Sequence, residues 1–214
     1  KTVETYMQIQ ESLWTDTMID ATKIAIMSST TIAGGVASLS GSAGSYDASG
    51  VMQSVLVAPA RLNRWNTFSA GTTTPNQTGI LFRFYANDGV SLIPETQLPG
   101  NAAGFATSTV NLSLISTSTY PVLKVTSLLS SSDPNVTPSI DFYSFAYDYG
   151  PDPFPNLSFG MRGAKTIGNS PTIYKYDQTH SSGASSILTL SNVEADTYTL
   201  SVATSTGYLL VESC

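Results

Sequence analysis

The chain has 214 residues and a net charge of −6, and only 11% of its residues are charged, which is less than half the usual share. Its nine lysines and arginines are scattered singly, so the sequence predicts no basic patch for nucleic acid or an anionic membrane. Serine and threonine take the place of the missing charges, a composition typical of secreted β proteins.

The only cysteine, Cys214, is the last residue, so no disulfide can form within the chain. The sequence opens at Lys1 without an apolar signal run, and no stretch is long enough to span a bilayer. We therefore expect a processed or trimmed piece of a longer protein. Any membrane attachment would run through a segment absent from this chain.

Short β-like runs follow one another along the first 150 residues. The first 14 residues mix helix formers with β-branched residues, and their alternation favours an extended strand over a helix. We predict further strands at 24–27, 36–39, 51–57, 80–85, 110–114, 122–129 and 140–147. Gly, Pro, Asn and Ser clusters separate them, which predicts an all-β sandwich or jelly roll.

The segment DYGPDPFPN at 148–156 holds three prolines and a glycine. Proline fixes φ and removes a ladder donor, so we predict that this segment ends the sheet. The sequence thus predicts a jelly-roll domain at 1–150, a proline-rich linker at 151–156 and a small β-sandwich at 157–214. The last domain is either lean or continues beyond Cys214. Phe154, the large apolar side chain of the linker, is predicted to dock between the two domains.

The second domain has its own strand pattern. We predict strands at 157–161, 173–176, 187–190, 197–202 and 208–211. In SNVEADTYTLSV, residues 193–196 are too short and polar for a helix and predict a turn, and the alternation from Thr197 predicts a half-buried strand. We expect the strands at 187–190 and 197–202 to form a hairpin.

Two stretches resemble known families. The first, about 11–150, carries GNAAGF, TYPVLK and TPSID and resembles the discoidin- or laminin-G-like jelly rolls of bacterial surface and pilin-like proteins. The second, with ILTLSNVEADTYTLSV, resembles the prealbumin-like, Ig-like spacer modules called carboxypeptidase-regulatory-like or collagen-adhesin B-type. It departs from them in having Asp196-Thr197 where those modules have a glycine before the last strand, and Ser182-Gly183 where they have an upstream Asp-Gly turn.

These resemblances imply extracellular display at a cell surface and a non-enzymatic structural or adhesive role. The partners they imply are further copies in a filament, other surface proteins or glycans. The scattered basic residues predict that nucleic acid is not a partner. The alternative is a carbohydrate-binding module of a larger secreted enzyme. The first resemblance also implies a structural calcium near an early Asp-rich turn, and no other cofactor is expected.

Trp65, with Arg64 and Asn66 beside it, is the candidate for glycan binding, because a tryptophan platform flanked by polar groups suits a sugar ring. The other interpretation is that Trp65 packs in the core, as large aromatics usually do. Asp16 and Asp20 in TDTMID are the candidate calcium ligands, since calcium takes six to eight oxygens. Isolated aspartates more commonly make turns, and this interpretation also stays open.

No constellation in the sequence indicates catalysis. His180 has Asp177 and Ser181 as neighbours on one predicted loop, where three residues cannot readily converge into a triad, so we expect a solvated loop histidine. An isopeptide link from Lys165 or Lys175 to Asp177, Asn192 or Glu194 is conceivable, but the sequence indicates no clear acid opposite Lys165. Four sequons permit glycosylation, at Asn76, Asn111, Asn135 and Asn156.

Overall fold

The computed structural model describes residues 2–4, 6–7 and 9–202. Every regular element in that part of the chain is a strand, so the all-β prediction is confirmed. No helix in the described ranges is long and apolar enough to cross a membrane. The strands are β1 (Thr2–Glu4), β2 (Tyr6–Met7), β3 (Gln10–Asp16), β4 (Ile24–Ser28), β5 (Thr30–Ala33), β6 (Val36–Leu39), β7 (Ser49–Ser54), β8 (Leu62–Thr73), β9 (Thr78–Tyr85), β10 (Thr109–Asn111), β11 (Lys124–Ser131), β12 (Ser139–Tyr149), β13 (Asp152–Pro153), β14 (Ser158–Gly163), β15 (Thr166–Asn169), β16 (Thr172–Tyr174), β17 (Asp177–Ser181), β18 (Ile187–Thr189) and β19 (Tyr198–Val202).

The chain divides into two compact units. The large unit is Ile9–Gly150, and the small unit is made of Lys1–Gln8 together with Pro151–Cys214. The sequence predicts residues 1–8 as part of the large domain. They belong to the small unit because β1 pairs with β18 and β2 pairs with β13. The large unit is therefore an insertion, and the chain passes between the units twice.

Two antiparallel sheets form the large unit. One has six strands in the order β10-β8-β12-β6-β5, with β3 also paired to β12, and the other has four in the order β4-β7-β11-β9. Side chains from both sheets enclose one core. The ring of Phe68 on β8, for example, lies 5.0 Å from that of Phe82 on β9. The unit is thus a β-sandwich, while its jelly-roll topology stays a prediction.

The longest strand, β8, is not predicted from the sequence. Its buried residues Trp65 and Phe68 are three apart, which breaks the period of two that a strand shows. The cause is an irregularity in the pairing: Phe68 lies opposite Phe145, but Trp65 lies opposite Tyr147. An extra residue on one strand bends it and shifts which side chains face the core.

The small unit is built around β14, which pairs with β17 on one side and β19 on the other. Phe159, Met161 and Tyr198 form its buried core. The predicted hairpin between 187–190 and 197–202 is wrong, because β18 pairs with β1 and leaves β19 to β14. The predicted strand at 208–211 and Cys214 lie outside the described residues.

The proline-rich segment is not a free linker. Asp152 and Pro153 form a two-residue ladder opposite Met7 and Tyr6. The sheet that contains β12 ends at Tyr149, as predicted, and the segment adds only this short ladder in a separate two-stranded sheet. A short ladder in a two-stranded sheet tolerates proline because its missing N–H can face away from the partner strand.

Candidate functional site

Trp65 has no face free for a ligand. Its side chain is fully buried, its indole Nε1 donates a hydrogen bond of 2.9 Å to the carbonyl of Tyr120, and the rings of Phe145 and Tyr147 pack edge-on against it. Stacking on a sugar needs an exposed ring face. The structure therefore supports the core interpretation of Trp65 and corrects the prediction of a binding platform.

Arg64 and Asn66, which flank Trp65, share one partner across the sheet. Asp148 on β12 accepts from Arg64 Nη2 at 2.9 Å and from Asn66 Nδ2 at 2.7 Å. Arg64 Nε also donates to Asn66 Oδ1 at 3.0 Å. The three side chains thus form a surface cluster in which they hydrogen-bond to one another. Sequence reasoning missed Asp148 as their partner, because the register between two strands cannot be read from the linear sequence.

The two candidate calcium ligands lie in different environments. Asp16 is 4% exposed and Asp20 is exposed. Asp16 Oδ1 accepts from the amide of Met18 at 3.0 Å, while Asp20 Oδ1 accepts from the amide of Thr22 at 2.8 Å. Each aspartate thus makes a local turn. In the described ranges no three His, Cys, Asp or Glu side chains come together to hold a metal, and the calcium site stays a prediction.

Asp16 and Tyr143 are two buried residues that lie opposite each other on β3 and β12. Asp16 Oδ2 has no partner among the described residues, and neither has the hydroxyl of Tyr143. Burial is the main cause that raises the pKa of Asp16. Burial and then the Asp16 charge raise the pKa of Tyr143. Sequence reasoning missed this pair, because Tyr143 comes opposite Asp16 only through the register of β12 on β3.

The small unit holds a groove of about 370 Å³ beside β17. His180 lies on this strand, half-buried, and its Nε2 is 2.7 Å from the hydroxyl of Tyr176. The two rings stack with centroids 6.0 Å apart. The prediction of a solvated loop histidine is therefore wrong. His180 lies opposite Phe159 of β14, and cross-strand neighbours share a sheet face, so it borders the small core.

Glu194 bridges two lysines at the edge of this groove. Its Oε1 lies 2.8 Å from Lys165 Nζ, and its Oε2 lies 2.6 Å from Lys175 Nζ. Lys165 Nζ also donates to the carbonyl of Ala195 at 2.7 Å. The statement that no clear acid lies opposite Lys165 is therefore wrong. Both lysines are about half exposed, and the arrangement is an open ion-pair network.

The two lysines hold the pKa of Glu194 at about 2, first through the Lys165 hydrogen bond and then through that of Lys175. Because this pKa lies below the ordinary value of 4.5, the ionised group stabilises the fold above pH 4.5. That contribution is lost as the pH falls from 4.5 towards 2.

We expect NMR titration of the Glu194 side chain to give a midpoint near 2 in the parent. In Lys165→Met, which removes the larger cause, the midpoint should move up towards 4.5. Glu194→Gln should also reduce the loss of small-unit stability as the pH falls below 4.5. Hydrogen exchange of the β19 amides measures this stability. Glu11→Gln, at an exposed site in the large unit, is the control. A parental midpoint near 4.5 would contradict the bridge.

Ser182 ties the proline-rich segment to the small unit. Its side chain is 1% exposed, accepts from the amide of Leu157 at 3.0 Å and donates to the carbonyl of Phe154 at 3.1 Å. Phe154 itself is half-buried. That its ring docks between the units stays a prediction.

Ser182→Ala should loosen the segment by about 1–3 kcal/mol, because an amide and a carbonyl lose their buried partner. Limited proteolysis should then cut between Tyr149 and Leu157 several-fold faster than in the parent. Ser158→Ala, an exposed serine on β14, should leave the rate unchanged. Equal rates for Ser182→Ala and the parent would show that the serine does not anchor the segment.

All four sequon asparagines are exposed, at Asn76, Asn111, Asn135 and Asn156. Each therefore offers its amide to solvent, although Asn135 Nδ2 is hydrogen-bonded to Asp133 at 2.8 Å. Glycosylation at these positions stays a prediction.

No family model, curated protein or solved structure matches this chain. The resemblances to surface and pilin-like proteins therefore stay predictions, and the function has to be argued from the fold and its surfaces.

Proposed function

We propose that this chain is a non-enzymatic structural or adhesive module on the outside of a cell, within a surface protein or a pilus-like filament. The observation that carries this proposal is the insertion of the large sandwich into the small unit. Segments on both sides of Ile9–Gly150 belong to the small unit. Tension along these segments would pass through the small unit, leaving the sandwich to present a surface.

The chain segments that pass between the units are held on both sides. On the large side, Gln10 of β3 lies opposite Tyr149 of β12. On the small side, Met7 of β2 lies opposite Asp152 of β13. Each unit thus pairs the two strands by which the chain enters and leaves it, which would resist fraying of those strands under load.

The surface chemistry supports the same role. Low charge and abundant hydroxyl side chains are a composition of secreted β proteins, as the sequence analysis noted. In the proposed setting the partners are neighbouring copies or other surface proteins. The alternative, a carbohydrate-binding module of a larger secreted enzyme, rested on the jelly-roll resemblance and on Trp65. It loses the second support because the ring is buried.

Antibodies raised against residues 9–150 test the location on cells that produce the protein. We expect intact cells to be labelled, and added protease to remove the label before lysis. A cytoplasmic protein serves as the control. Immunogold label along sheared filaments would assign the module to a filament, and label on the cell body to a surface protein. Label that appears only after lysis would overturn the proposal.

A further inference from the structure

Residues 2–7 are attached to the small unit by two short ladders. β1 pairs with β18 at three positions, and β2 pairs with β13 at two. Every other ladder of the small unit, within the part of the chain that the structure describes, is formed inside 158–202. The described core residues of this unit also come from that stretch. A segment held by so few pairs belongs to the parts of a fold that open at a low free energy.

Tension along the chain would open both ladders one pair at a time. In the first ladder Thr2 lies opposite Thr189, so the chain that enters β1 and the chain that leaves β18 depart from the same end. The same holds for Tyr6 and Pro153 in the ladder of β2 and β13. Antiparallel hydrogen bonds run perpendicular to the strands. Such a pull therefore loads the pairs in sequence and not all together.

The other end of the load path is held by more contacts. Tension on the chain beyond Val202 acts first on β19, which pairs with β14 at five positions. Tyr198 of β19 is only 9% exposed and belongs to the buried core, and its hydroxyl donates to the carbonyl of Glu194 at 2.9 Å. Peeling β19 breaks more pairs and uncovers core surface, so we expect β1 to detach first.

The large unit stays outside the load path while the two ladders hold. It is inserted between β2 and β13, and the pairing of these strands carries the tension past it. Its own ends lie side by side, since Gln10 of β3 is opposite Tyr149 of β12. The folded unit therefore closes the connection between β2 and β13 as a short loop would. If it unfolded, a loop of about 140 residues would have to close, at a higher entropic cost.

We propose that residues 2–7 are a tension-operated clasp. Under load β1 leaves β18 and then β2 leaves β13, while the small core and the large unit remain folded. Opening releases residues 2–9 and 150–153, because Ser182 holds the segment from Phe154 onward, and lengthens the chain by about 4 nm. Tension reaches the large unit only after this step, and the clasp closes again when the load falls. The inference rests on the proposed function, in which the chain carries load.

An optical trap with handles on peptide tags at both ends of the full chain tests the order of events. We expect the first event to be a reversible lengthening of about 4 nm. Unfolding of Ile9–Gly150 should follow and lengthen the chain by about 45–50 nm in total. Phe68→Ala, which weakens the large unit, should lower the force of the second event and leave the first unchanged. A long step that precedes the short one, or a trace without the short one, would overturn the proposal.

A disulfide across the first ladder provides the matched control. Thr2→Cys with Thr189→Cys, in a Cys214→Ser background, joins two opposite residues, whose Cα atoms in an antiparallel ladder lie within disulfide range. The oxidised protein should lose both events, because the load then bypasses residues 3–188, and dithiothreitol should restore both. Cysteines that fail to cross-link, or a long step that persists after oxidation, would contradict the clasp. The trap uses the isolated chain, so these outcomes are independent of where cells place the protein.

Discussion

Replacing Asn101 by alanine is expected to lower the free energy of unfolding of the large unit by about 2–5 kcal/mol. Asn101 is fully buried. Its Oδ1 accepts from the amide of Phe84 at 2.8 Å, and its Nδ2 donates to the carbonyls of Phe84 and Ile93, each at 2.8 Å. The Asn101 side chain thus hydrogen-bonds to the main chain of β9 as a neighbouring strand would. Alanine would leave the amide of Phe84 and the carbonyl of Ile93 without these hydrogen-bond partners.

The aspartate variant separates hydrogen bonding from shape. Asn101→Asp has nearly the same volume, but a carboxylate would face the two carbonyls of Phe84 and Ile93 without a proton to donate. Burial and these carbonyls should raise its pKa in the folded state. The variant should therefore lose stability as the pH rises above the unfolded value of about 3.9. Asn101→Ala should show no such added pH dependence.

Urea unfolding of the parent and the variants measures both effects. Asn76→Ala, an exposed asparagine in the loop before β9, is the matched control and should change stability by less than about 0.5 kcal/mol. If Asn101→Ala unfolds at the same urea concentration as the parent, the buried hydrogen bonds contribute nothing net to the stability of the fold.

This residue also shows what the sequence could and could not reveal. The stretch GNAAGF was singled out as a motif, and the structure supplies its physical reason. Gly100 and Gly104 have φ of +94° and +89°, the region that favours glycine, and they place Asn101 and Phe105 against β9. The motif was visible in the sequence, but its target strand depended on pairing across the fold.

Strands such as β9 and β11 were predictable, since each is a short run rich in β-branched or aromatic residues bounded by turn residues. Pairing was harder. The hairpin predicted from 187–190 and 197–202 is wrong, because strand pairing depends on residues far apart in the sequence. Here β18 pairs with β1 from the other end of the chain. The candidate site residues show the same limit, because Asp148 comes next to Arg64 and Asn66 only through the β8–β12 register.

Phe68 lies at the centre of the aromatic core of the large unit. It is fully buried, and its ring centroid lies 5.0–5.2 Å from those of Phe82, Phe84 and Phe145. These rings come from both sheets, since β8 and β12 belong to one and β9 to the other. The contacts of Phe68 therefore join the two halves of the sandwich, and no single neighbour can collapse into its place.

Phe68→Ala should for this reason lower the free energy of unfolding by about 3–5 kcal/mol, the usual range for a large buried aromatic residue. Phe68→Leu, which fills more of the cavity, should lose less. Phe142→Ala is the matched control, because Phe142 lies on the neighbouring strand β12 and is 39% exposed. Chemical unfolding of the three variants should rank Phe68→Ala as the least stable and Phe142→Ala as the nearest to the parent. Equal losses for Phe68→Ala and Phe142→Ala would mean that the two sheets are held together elsewhere, since Phe142 is partly exposed while Phe68 contacts rings of both sheets.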